Sequence, residues 1–78
     1  METTFGPVGE LHVEAYAAPC AWGWLGFGRV VRGEDTLARV TSPILPLAEQ
    51  ALGVASEKSQ EVLLRLLARD RELAQVAC

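Results

Sequence analysis

The stretch Trp22-Gly-Trp-Leu-Gly-Phe-Gly-Arg-Val-Val31 contains both tryptophans of the chain, one of its two phenylalanines and three of its seven glycines. Read with period two, it predicts a strand from about Trp22 to Arg32. Trp22, Trp24, Gly26, Gly28 and Val30 fall on one face, and Leu25, Phe27, Arg29 and Val31 on the other. A strand that is apolar on both sides needs cover on both sides. The chain has only 78 residues, and a domain of that size buries about 60 % of its unfolded surface. Covering both faces from within the chain is therefore difficult.

Flanking segments support a sheet. From Glu10 to Ala17 the residues alternate, with Leu11, Val13, Ala15 and Ala17 on one side and His12, Glu14 and Tyr16 on the other. This is the pattern of a half-buried strand. Pro19 marks its end, because proline cannot donate to a ladder. Gly33-Glu34-Asp35 reads as a hairpin turn, followed by a third strand from about Thr36 to Thr41. Upstream, Gly6-Pro7 and Gly9 read as breakers, which makes residues 1–9 a leader.

Beyond Thr41 the period changes. Ser42-Pro43, or the second proline Pro46, opens a helix starting between 43 and 47. At 100° per residue, Ala48, Ala51, Leu52, Ala55, Ser59, Val62, Leu63, Leu66, Leu67, Leu73, Ala74 and Ala77 form one stripe, with Asp70 also inside it. The phase holds through Gly53, which favours one helix over two. About 30 residues at 1.5 Å each give ~45 Å, against ~27 Å for an eight-residue strand. The leucine-rich half from Val62 to Ala77 should therefore overhang the sheet. The expected fold is α+β: one domain, 1–78, with a three-stranded antiparallel meander over 10–42 and one long C-terminal helix over 43–77 across one face.

Composition excludes several functions. Residues 1–42 carry five acids against three arginines, and residues 43–78 carry five acids against four bases. Neither half is a basic patch, which argues against nucleic acid as the main partner. Cys20 and Cys78 have neither disulfide-framework nor metal-ligand spacing. No secretion signal is visible at the N-terminus, and the longest uncharged run, Ala15–Gly28, is short of the ~20 residues a membrane span needs. A soluble, cytoplasmic protein is expected.

Each candidate for chemistry has a plainer structural counterpart. His12, Glu14 and Cys20 could form a Cys/His site, but no spacing requires it. Gly23, Gly26 and Gly28 do not fit a phosphate loop, and they precede strand-like sequence rather than a helix start. Trp22 and Trp24 with Tyr16 could line an aromatic pocket, or they could pack under the helix. No catalytic residue, metal or cofactor is implied.

The two surfaces left unsatisfied, one sheet face and the helix overhang, predict a non-enzymatic protein–protein interaction or oligomerisation module. Its partner would be a second copy, as a homodimer or higher oligomer, or another protein. The buried interface should exceed ~1,000 Å² and draw on the Trp22/Trp24 face or the Leu63–Leu73 segment. The alternative is a small-molecule or peptide binding protein with its pocket at Trp22 and Trp24. The residues expected to carry either function are Tyr16, Trp22, Trp24, Phe27, Leu63 and Leu67.

Overall fold

In the computed structural model the backbone is described for residues 1–76 and the side chains for residues 1–69. Leu73, Ala74 and Asp70, assigned above to the helix stripe, have side chains outside the described residues; Ala77 and Cys78 lie outside them altogether. The element order is β1 (Glu2–Val8), β2 (Leu11–Cys20), β3 (Gly23–Arg32), β4 (Asp35–Thr41) and α1 (Ala48–Val76). The fold is α+β. The strands form one antiparallel sheet in the order β1-β2-β3-β4, and the single helix among the described residues lies across one face.

The sheet therefore has four strands where the sequence predicts three. Residues 2–8, inside the 1–9 segment that reads as a leader, form an edge strand paired in register from Glu2↔Tyr16 to Phe5↔Val13. Thr3, Thr4 and Phe5 are good strand formers. Gly6-Pro7 reads as a stop, but an edge strand has a side that donates to nothing and so tolerates proline. The irregularity it causes is absorbed between Phe5 and Val8, after which Val8 pairs with Leu11. Gly9 and Gly33, at φ 62° and 59°, supply the left-handed first residue of two-residue hairpins.

The helix covers the face that carries Leu11, Val13, Ala15 and Ala17 of β2 with Gly26, Gly28 and Val30 of β3, all buried. Side-chain size is matched along the contact. At one end the small residues Ala51, Ala55 and Ser59, all 0 % exposed, lie on Gly26 and Gly28. A Cβ at Gly26 would stand 2.1 Å from the Ala51 carbonyl oxygen, and one at Gly28 would stand 2.0 Å from Ser59 Oγ. The glycines thus let the helix backbone rest directly on the strand. Further along, Leu63 fills the space over Leu11, Val13 and Val30, with Val8, Ala38, Val62, Leu66 and Leu67 packed around them.

The link into the helix is set by its two prolines. A residue before proline avoids the helical region, so Ser42 and Leu45 are held extended, and both bond to β3. The Ser42 amide donates to the Gly26 carbonyl at 2.9 Å, and Ser42 Oγ accepts from the Gly26 amide at 2.8 Å while donating to the Pro43 carbonyl. Leu45 exchanges two backbone bonds with Trp24, at 2.7 and 2.9 Å. Ser42 is therefore a buried clasp on the sheet rather than a helix cap. The first helical bond runs from the Ala51 amide to the Leu47 carbonyl, so the helix starts at Ala48, just past the 43–47 window.

Gly53 is exposed on the helix, and nothing lies within 4 Å of where its Cβ would be. Its only structural effect is the ~1 kcal/mol that glycine costs a helix interior relative to alanine. Gly53→Ala is expected to raise the unfolding free energy by about 0.5–1 kcal/mol, read from urea unfolding followed by circular dichroism. A loss of stability would show that the helix uses this position as a kink.

Candidate functional site

Among the described residues no element covers the face opposite the helix. Register assigns its residues in rows across the strands. One row is Glu2, Tyr16, Phe27 and Thr41, and the next is Thr4, Glu14, Arg29 and Arg39. Beyond these, His12 faces Val31, and Ala18 faces Leu25. The surface is concave at the two central rows, enclosing about 850 Å³.

At its centre Tyr16 and Phe27 stack, with ring centroids 5.0 Å apart and planes 19° from parallel. Offset stacking of this kind contributes about 0.5–1.5 kcal/mol beyond area burial. Half of the Tyr16 surface is nonetheless accessible, at 50 %. Next to this pair, Glu14 accepts from His12 Nε2 at 2.9 Å and from Arg29 Nε at 2.8 Å, with a second contact to Arg29 Nη2. These bonds, first from His12 and then from Arg29, hold the Glu14 carboxyl below the usual carboxylate range. Arg39 lies beside Arg29 across the β3–β4 ladder. Among the described residues neither Arg39 nor Glu2 has an ionic partner.

The structure separates several residues that the sequence grouped. Tyr16 and Phe27 belong to the open face, and Trp24 does not. Trp24 is half-buried on the helix side, where its backbone bridges Leu45. Trp22 is not in the strand, which begins at Gly23; it sits in the β2–β3 turn and is 86 % exposed. Tyr16, Trp22 and Trp24 thus line no common pocket. Leu63 is 0 % exposed and Leu67 is half-buried against the same cluster, so this part of the helix packs on its own sheet. Of the residues left for the open face, Leu25 and Phe27 are half-buried and Val31 is buried.

The arrangement of Cys20 with His12 and Glu14 does not form. His12 and Glu14 are bonded, but Cys20 lies eight positions further along β2, ~27 Å away at the rise of a strand. Among the described residues no three His, Cys, Asp or Glu side chains are grouped to hold a metal. Likewise no helix among them is long and apolar enough to cross a membrane. No family model, curated protein or solved structure matches the chain.

Glu2, Thr4 and Arg39 are the members of this face that sequence patterning overlooked. Glu2 and Thr4 fall within the segment that reads as a leader, and Arg39 within the third predicted strand. Their alternation with Thr3 and Phe5, and with Ala38 and Val40, was the available signal.

Proposed function

We propose that the protein is a small non-enzymatic interaction module whose binding surface is the helix-free face of the sheet. The observation that carries this is the Tyr16–Phe27 stack, with Tyr16 half accessible, at the centre of a concave face and framed by charged residues. Apolar aromatic centres with polar rims are the anatomy of protein interfaces. Among the described residues the one helix is committed to the other face, which leaves this one open to a second molecule.

The test is the double variant Tyr16→Ser/Phe27→Ser. Both side chains point away from the helix, so the far-ultraviolet circular dichroism of the fold is expected to persist. Sedimentation at micromolar concentration is expected to shift from an oligomer for the parent to the 8.4 kDa of one chain for the variant. A parent that sediments as one chain, or a variant that stays assembled, overturns the proposal.

The concavity also supports a second function, binding of a small molecule. A planar anionic ligand could rest on the aromatic pair near Arg29 and Arg39. This moves the pocket away from Trp22 and Trp24, and ligand-induced shifts of the Tyr16 ring resonances would distinguish it from assembly.

A further inference from the structure

The charges of the open face are divided by strand. Glu2 and Glu14 lie on β1 and β2, while Arg29 and Arg39 lie on β3 and β4. Glu14 and Arg29 meet at the centre and neutralise each other within the chain. Glu2 and Arg39 are on the two edge strands, three strand spacings or ~14 Å apart. That distance is too great for them to pair in one chain, and among the described residues neither has another ionic partner.

A surface that is acidic on one half and basic on the other is complementary to itself under one rotation. Consider a two-fold axis parallel to the strands, running between β2 and β3 and above the sheet. It places β1 of one copy over β4 of the other and β2 over β3. Tyr16 then faces the second copy's Phe27, and the reverse, within the same row. Glu2 comes into the row next to the second copy's Arg39, within reach of two long side chains, and the symmetry makes this contact twice. The other in-plane axis, perpendicular to the strands, sets acid over acid and arginine over arginine, which costs free energy.

The edges offer no competing route. β1 is interrupted at Pro7 and between Phe5 and Val8, and β4 carries Leu37 as an extra residue between the pairs Val30↔Ala38 and Val31↔Thr36. Both interruptions are devices that block edge-to-edge pairing. Area agrees with a face-to-face contact. Four strands ~4.8 Å apart and about eight residues long give ~500 Å² in plan per copy, or ~1,000 Å² for two, where specific interfaces begin.

We infer that the occupant of the open face is a second copy of this chain, packed sheet on sheet about a two-fold axis parallel to the strands, with reciprocal Glu2–Arg39 pairs and a helix on each outer side. This rests on the use of the open face proposed above and specifies its partner and orientation.

Charge exchange tests it. In sedimentation equilibrium, Glu2→Arg and Arg39→Glu are each expected to raise the dimer dissociation constant about tenfold, since each acts twice in the dimer and creates a like-charge contact. The combination Glu2→Arg/Arg39→Glu is expected to return it to within about threefold of the parent. Rescue cannot come from inside one chain, because the two positions are too far apart. A dimer that is lost with Tyr16→Ser/Phe27→Ser yet shows no rescue overturns this orientation and leaves the binding face standing. A parent that is monomeric in the same experiment overturns both.

Discussion

Gly26→Val is expected to abolish cooperative unfolding at 25 °C, leaving a chain without stable tertiary structure. Its Cβ would lie 2.1 Å from the Ala51 carbonyl oxygen, 2.7 Å from that carbonyl carbon and 3.0 Å from Ala55 Cβ. The first two are backbone atoms inside a helical turn, so no side-chain rotation relieves the contact. The helix must lift from the sheet, and lifting it also opens the contacts of Ala51, Ala55 and Ser59. Overpacking of a rigid core costs about 1–3 kcal/mol and more where backbone must move. A chain of 78 residues has ~4–12 kcal/mol in all. Valine favours strands and loses less entropy than glycine on folding, but that gain is about 1 kcal/mol and does not offset the clash. Gly26→Ala meets the same atoms with one carbon and is expected to cost ~3 kcal/mol.

Gly28 should be somewhat more tolerant, because its nearest neighbour is Ser59 Oγ, which can turn away, although the Ala55 carbonyl waits at 2.9 Å. The order of damage is thus Gly26, then Gly28, with Gly53 on the opposite side of zero. Thermal and urea unfolding of the series measures it. A Gly26→Val protein that melts cooperatively within 1 kcal/mol of the parent would mean that the helix does not rest on β3.

These glycines also show how far the sequence could be read. Alternation located β2, β3 and β4, and the 3.6 period located α1 with the phase observed: Ala51, Ala55, Ser59 and Leu63 are all buried. Which face of the sheet the helix takes was also written there, in sizes rather than polarity. Ala15, Ala17, Gly26 and Gly28 make a shallow strip that accepts a backbone, and the helix stripe begins with equally small residues. For β3 hydrophobicity alone does not reveal this, since its opposite face carries Leu25, Phe27 and Val31. β1 was missed because proline is a strong local signal, while the permissiveness of an edge is a property of the whole sheet. Trp22 was misplaced for a similar reason. Alternation continues through it, but the hairpin closes at Cys20↔Gly23 and leaves Ala21 and Trp22 as the turn. The open face itself could be deduced only once the helix had been assigned to the other side.

Leu63→Ala is expected to lower the unfolding free energy by about 3 kcal/mol, while leaving the assembly state of the protein that remains folded unchanged. Leu63 is 0 % exposed and meets Leu11, Val13 and Val30, the other buried members of the cluster. Few residues share this core, so little can collapse into the space a missing isobutyl group leaves, and the cost should lie in the middle or upper part of the 2–5 kcal/mol range for such truncations. At about 4–8 °C per kcal/mol for a domain this small, the midpoint should fall by roughly 15 °C. The neighbouring Leu64 is 60 % exposed, and Leu64→Ala is expected within about 0.5 kcal/mol of the parent. The pair distinguishes two roles that the sequence allowed for this part of the helix. A leucine that holds the chain's own helix to its own sheet changes the melting temperature at every protein concentration. A leucine that holds a second copy changes the dissociation constant, and its effect on melting fades on dilution. If Leu63→Ala behaves in the second way, the leucine-rich half of α1 is an interface, and the chain's own core must be smaller than Leu11, Val13, Val30 and Leu63 together.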